Sequence, residues 1–211
     1  MSVVYRTTMV PTKVQLLASW LPGRSWYHGG KMPELRKAGG FRLDDPDGEV
    51  GIEFMVVTDH SGAQPHTYHV PLTYRGSALP EAAEALVGTS QHGILGTRWV
   101  YDAARDPVAV ARIIALLTGN ARPQAQSESD TPDPSVSVHT ADTLSVAEGF
   151  GSAQDGSTYT DIPAGGRVVR VHRLLQGMLA PADAVSAGRV SAPWRLDDGT
   201  TATGVFLSLT E

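Results

Sequence analysis

The sequence contains no cysteine, which excludes disulfides, thiolate nucleophiles and cysteine-rich zinc sites. Charge is sparse, at 18% of residues, against ~25% in an average globular chain. The 17 basic side chains form no evident cluster and are outnumbered by 22 acidic ones, for a formal net charge of −5. Binding a phosphate backbone needs concentrated basic groups, so this balance argues against a nucleic-acid partner. No long hydrophobic run is present. The most apolar segment, Val108 to Leu117, is interrupted by Arg112 and falls short of the ~20 residues of a membrane span. The opening MSVVYRTTMVPTK lacks the apolar stretch of a secretory signal. A cytoplasmic protein with no membrane partner is therefore expected. What is there is 211 residues with 41% hydrophobic content. That suffices for one packed domain, or one domain with a small appendage, and is too apolar for wholesale disorder.

One shift in composition organises the chain. Asn120 to Ser135 reads NARPQAQSESDTPDPS, with three prolines and no large apolar side chain. Such a stretch buries too little surface to offset its ordering entropy. It divides the chain into an N-terminal unit, 1–119, an exposed linker or loop, 120–135, and a β-rich extension, 136–211. No internal repeat is visible.

Within the first unit, Val3 to Met9 reads as a short extended piece. Thr12-Lys13-Val14-Gln15 has the form of a capping box. Val14, Leu17 and Leu21 follow at helical spacing, predicting a helix to about Pro22. After Gly39-Gly40 the period becomes two: Val50, Ile52, Phe54 and Val56 share one face, and Tyr68, Val70, Leu72 and Tyr74 another. The turn residues DHSGAQP between them predict an antiparallel hairpin. Pro71 removes a ladder donor, which places the second strand at an edge or at a bulge. A short helix near Pro80 to Val87 and a strand near Arg98 to Tyr101 follow. Asp106 then caps a helix with Pro107 in its first position, an apolar stripe of Val110, Ile113, Ile114 and Leu117, and Gly119 at its end. In the extension, Val168, Val169 and Val171 mark a strand. Trp194 to Leu196, Asp197-Asp198-Gly199 and Val205 to Leu209 mark a hairpin. Helices beside an antiparallel sheet make an α+β unit.

Three phrases carry a resemblance: WLPGRSWYHGGK at Trp20 to Lys31, YHVPL at Tyr68 to Leu72, and HGILGTRWVYDAARDP at His92 to Pro107. Together they resemble the N-terminal cap domain of actinobacterial maltokinases, in its free-standing, cap-like variety, over about residues 1–119. The resemblance implies a curved antiparallel β-sheet packed on helices, similar to the cystatins, here with a mainly β C-terminal extension. In complete kinases this cap precedes a phosphotransferase core. Such a core needs an aspartate base in a His-x-Asp-type loop and a second aspartate for Mg²⁺. The seven histidines here are followed two positions on by Gly30, Gly62, Tyr68, Pro71, Ile94, Ala141 and Leu174. None is aspartate. Gly30-Lys31 runs into Met32, so no Walker-type phosphate loop exists. Kinase activity is therefore not expected of this polypeptide. A cystatin-like shape does not imply protease inhibition, and Gln91-His92-Gly93-Ile94-Leu95 does not fit the inhibitors' Gln-x-Val-x-Gly loop.

His66 and His69 lie three apart, on opposite faces of a strand, and do not converge on a metal. Asp44, Asp45 and Asp47 lack the spacing of a calcium loop and read as a turn. No Gly-x-Ser-x-Gly occurs, and Gly149-Phe150-Gly151 lacks the setting of a dinucleotide site. Trp26, Tyr27, Lys31, His92, Trp99, Tyr101 and Asp102 are the candidate family-motif or ligand surface, with Trp20 and Arg105 beside them. Aromatic faces stack on pyranose rings, yet large aromatics usually belong to cores, and His92 and Asp102 read more simply as loop-fixing groups. No catalytic residue, cofactor or metal is assigned. The expected function is a non-catalytic, cap-like module of sugar or α-glucan metabolism. It would act on a sugar kinase core or a glucan or trehalose enzyme, or as a homodimer. The alternative is a sugar-binding or enzymatic site between sheet and helix.

Overall fold

The computed structural model describes residues 8–140, 149–177 and 188–210. The extended piece expected from Val3 lies outside the described residues over 3–7. Its end forms β1 (Met9–Val10). Thr12 then starts α1 (Lys13–Trp20) through the expected capping box: its hydroxyl accepts from the Gln15 N–H while the Gln15 side chain accepts from the Thr12 N–H. A 3-10 turn over Leu21–Gly23 follows, with Pro22 where its missing N–H costs least.

The strands that follow are β2 (Leu35–Leu43), β3 (Gly51–Asp59), β4 (His66–Arg75), β5 (Leu86–His92) and β6 (Gly96–Asp102), with a 3-10 turn at Pro80–Ala85. Helix α2 (Pro107–Leu117) begins at Asp106, whose carboxylate accepts from the Val108 N–H and is clamped by Arg75 Nη2 and Nε at 2.6 and 2.7 Å. Beyond it come β7 (Ser137–His139), β8 (Gln154–Asp155), β9 (Tyr159–Ala164), β10 (Arg167–His172), β11 (Leu174–Leu175), β12 (Gly188–Arg195) and β13 (Thr201–Thr210). The architecture is predominantly antiparallel β-sheet with few helices, an α+β chain in which strand outweighs helix.

All the described strands belong to one sheet, in the order β1-β5-β6-β4-β3-β2-β12-β13-β10-β9-β8, with β7 beside β12 and β11 beside β4. The last pairing closes the sheet on itself. β10 pairs with β13, and after the single residue Arg173 the same run of chain becomes β11 and pairs with β4. Strands β4, β3, β2, β12, β13 and β10–β11 thus form a ring. The ring is held lightly at two places: Trp194 opposite Gly39 joins β12 to β2, and two residue pairs join β11 to β4.

β3 is buried on both faces. Ile52, Phe54 and Val56 enter a core with Phe41, Phe206 and Trp194 and with Val110, Ile113, Ile114 and Leu117 of α2. Met55 and Val57 enter a second core with Tyr68, Val70 and Leu72 and with Leu16, Leu17 and Trp20 of α1. The period-two pattern therefore divides each strand between two cores. Gly40, at φ +132°, permits a close approach in β2, since a Cβ there would lie 2.1 Å from the Phe54 carbonyl oxygen.

Pro71 departs from expectation. It sits in an interior strand, opposite Phe54 and without a bulge between β3 and β4. Its nitrogen faces the same side as that of His69, two residues before, whose N–H donates to the Arg173 carbonyl. On that side Tyr68 is paired with β11 and Leu72 with β6. Proline stands where one neighbour ends and the next begins, so its missing donor breaks no ladder.

The segment after α2 has no helix or strand over 120–135 and is exposed at 127–130. It stays in contact with the sheet through Gln124, which bridges Arg42 and Pro132, and through Gln126. The Asp44–Asp47 turn is organised by Asp45, whose carboxylate accepts from the N–H groups of Asp47, Glu49 and Val50.

Candidate functional site

The first family phrase folds as a loop pinned to the end of the β3–β4 hairpin. The Tyr27 hydroxyl donates to Asp59 Oδ2 at 2.6 Å, and Asp59 also accepts from the Glu34 and Ser61 N–H groups and the Ser61 hydroxyl. Burial pushes the Asp59 carboxyl up, but these donors outweigh it and hold it below the usual range. The Tyr27 phenol is pushed up, by burial first and by Asp59 second. Gly29 makes the packing possible, because a Cβ there would fall 2.0 Å from Asp59 Oδ2. Lys31 is exposed.

Trp26 is fully buried, with the rings of Trp20 and Tyr68 at 5.8 and 6.1 Å and the Arg173 guanidinium 4.9 Å from its centroid. Arg173, itself fully buried, donates to Asp102 Oδ1 and Oδ2 at 2.8 and 2.6 Å and to the Thr160 hydroxyl at 2.8 Å. Arg105 joins Asp102 to Asp155 at 3.1 and 3.0 Å. Trp26 and Asp102, 76 positions apart in the chain by their numbers, therefore meet on one arginine of the C-terminal segment. The same segment reaches the first loop, where His28 Nε2 lies 2.8 Å from the Ser157 carbonyl and the Ser25 hydroxyl donates to that of Gly156.

The other candidates lie elsewhere. Tyr101 is buried with Leu79, Ala82 and Ala85, its hydroxyl accepting from the Leu79 N–H, and Trp99 packs partly on that cluster. His92 ends β5, and its Nδ1 accepts from the N–H groups of Ile94 and Leu95. Its pKa is lowered, by burial first and by Arg98 and Lys13 after that. The turn it fixes leaves Ile94 61% exposed and Leu95 39%; the Thr8 carbonyl accepts from the Gly93 N–H beside it, and further along β1 Val10, opposite Gln91, is 67% exposed.

His66 and His69 point to opposite faces. His66 lies against His28 and Tyr68, while His69 is fully buried against Phe54 and Phe206. Among the described residues no group of three or more His, Asp or Glu side chains is placed to hold a metal ion. No helix among them is long and apolar enough to cross a membrane.

A further polar group was not singled out from the sequence. Glu53, in the middle of the apolar run GIEFMVV, is buried and accepts from Lys13 Nζ (2.5 Å), the Tyr74 hydroxyl (2.6 Å) and the Gln126 amide (2.8 Å). Burial pushes its carboxyl up, but Lys13, Tyr74 and Lys37 together outweigh that and hold it at about 2. Tyr74 is pushed well up, by burial and then by Glu53. One charge inside a buried strand was the available signal, because such a charge requires partners. A shallow groove of about 650 Å³ lies between the Pro80–Ala85 turn, Arg105 and Phe150–Ala153, with Glu81 and Glu84 at its rim.

No curated protein matches the chain. A family model does, over residues 20–106: the maltokinase N-terminal cap domain. This range contains all but the last residue of the three phrases, and within it lie Trp26, Tyr27, Asp59, Asp102 and the exposed turn at Ile94. A cap is not the catalytic part of a kinase. The region of the chain that holds this loop, this turn and Asp102 is a maltokinase N-terminal cap-like domain.

Proposed function

We propose that the chain is a non-catalytic cap-like module that works by associating with another protein of sugar or α-glucan metabolism. A separate sugar kinase core or a glucan or trehalose enzyme is the partner that the family relation favours, with self-association as a homodimer the simplest variant. The observation that carries this reading is the exposed apolar pair Ile94 and Leu95 at the β5–β6 turn, beside the edge strand β1, whose Val10 is also exposed. Exposed apolar side chains grouped at a sheet edge mark contact surfaces. The family's polar motif groups, Tyr27 and Asp102, are by contrast occupied in holding loops and strands together. The net charge of −5 supports a partner other than nucleic acid, and we place the protein in the cytoplasm. A cystatin-like curved sheet is the shape that the family relation implies, and it belongs to this reading.

The test is affinity capture from native lysate with the full chain and with Ile94→Asp, alongside sedimentation of both. A carbohydrate-active enzyme, or a second copy, is retained by the parent chain and lost by the variant. Recovery of neither overturns the reading, as does turnover of ATP with maltose by the purified chain. A second reading, a sugar site, is favoured by the groove lined by Glu81, Glu84, Arg105 and the exposed Phe150. A thermal-shift screen separates the two. A sugar at 100 times its Kd raises stability by ~2.7 kcal/mol, and silence across mono-, di- and oligosaccharides removes this second reading.

A further inference from the structure

Around Glu53 the charges do not balance. Lys13, Lys37 and Arg42 carry three positive charges against this one carboxylate, on a chain whose net charge is −5. Glu53 is the one carboxylate among the charges acting on Lys37, where Lys13 and Arg42 oppose it. Among the described residues neither Lys37 nor Arg42 has an acidic partner within ion-pair distance. Arg42 stands directly opposite Glu53 in the β2–β3 ladder, and its Nε is buried without a hydrogen-bond partner.

The cluster is both open and held in place. Lys37 is exposed, the Lys13 side chain keeps 30% of its surface, and Arg42, Tyr74 and Gln126 are partly exposed. Lys13 is fixed by its bond to Glu53 and lies 4.8 Å over the Tyr74 ring. Gln126 is fixed by Glu53 and the Gly39 carbonyl, and it sits where the missing Cβ of Gly40 leaves room. Cations pre-positioned against an apolar wall attract anions more strongly than the same charges spread in water. A phosphate monoester carries close to two negative charges at neutral pH and offers several acceptor oxygens, which suits an arginine fork beside lysine ammonium groups.

We propose that Lys13, Lys37 and Arg42, arranged around Glu53, form a binding site for a small soluble phosphate monoester whose charge matches the two cations that Glu53 leaves uncompensated. This does not rest on the association reading. The test is an NMR titration of the full chain with inorganic phosphate and with glycerol 3-phosphate at pH 7, ionic strength being held constant with sodium chloride. Saturable shifts at Lys13, Lys37, Arg42 and Gln126 are expected with at least one of the two probes. Lys37→Gln and Arg42→Gln each weaken that binding about tenfold or more, with an unchanged melting temperature showing that the fold is kept. Shifts that grow linearly with both probes, or a dissociation constant unaltered in both variants, overturn the proposal.

Discussion

Lowering the pH from 7 to 5 should destabilise the fold through two buried histidines. His69 lies between Phe54 and Phe206 with its Nδ1 3.0 Å from the His172 carbonyl, and burial followed by the nearby Arg173 charge lowers its pKa from 6.5 to about 3. His172, beside Ser208, is lowered to about 4 by burial and then by Arg170. In both cases the unfolded chain binds the proton first as pH falls. Stability is therefore complete above pH 6.5 and declines below it, until pH 4 for His172 and pH 3 for His69. At pH 5, 1.5 units below the unfolded value, each histidine costs about 2 kcal/mol, or about 4 kcal/mol together. Glu53 adds its own loss only below its ordinary value of 4.5, so the interval from pH 6.5 to 5 isolates the imidazoles. Urea unfolding at pH 7, 6 and 5 measures the slope. His69→Phe keeps an aromatic ring in the core but leaves the His172 carbonyl without its donor, at about 1–2 kcal/mol at pH 7. In return it should abolish about half of the loss between pH 7 and 5. Equal pH slopes in the parent and the variant would refute the reasoning.

Three further outcomes follow from the packing. Gly29→Ala sets a methyl group against Asp59 Oδ2 and the Tyr27 hydroxyl and should cost about 1–3 kcal/mol, read from the urea midpoint. Arg173→Met leaves the Asp102 carboxylate buried with Arg105 as its remaining cation. A loss of about 3 kcal/mol or more is expected, and part of it should be restored by adding Asp102→Asn. A chain ended at residue 135 loses Val169, Val171, Val190, Phe206, Leu207 and Leu209 from the core it shares with Phe41 and Phe54. It should give a poorly dispersed NMR spectrum, and a sharp, native-like one would count against the shared core.

What was legible in the sequence was local. The Thr12–Gln15 box, the Asp106 cap with its four-residue stripe, the β3–β4 hairpin and the Asp197–Gly199 hairpin all place their signal within a few residues, and each formed as expected. β5 escaped notice because LVGTSQH carries a glycine and polar residues, and its pairing with β1 and β6 does the work that propensity does not. Pro71 was misplaced because its neighbour on one side changes midway along the strand, which sequence does not encode locally. The Glu53 cluster draws on residues 40, 21 and 73 positions away, and Arg173 finds Asp102 across 71. Those meetings are products of topology. The family phrases located the loop and the turn, but not the C-terminal groups packed beneath them.

The pairing of Leu174 and Leu175 with β4 has a kinetic consequence. His69 and His172, which meet at this clasp, are separated by 103 positions, and contacts between such distant points form late, because the chain must first surrender the freedom of the whole intervening segment. During synthesis the clasp cannot fasten until the ribosome has released Leu175, and Gly39 must wait longer still for Trp194. Until then the nascent first half carries an unshielded strand edge, and that interval is when it is most open to capture by a chaperone or by another copy of itself.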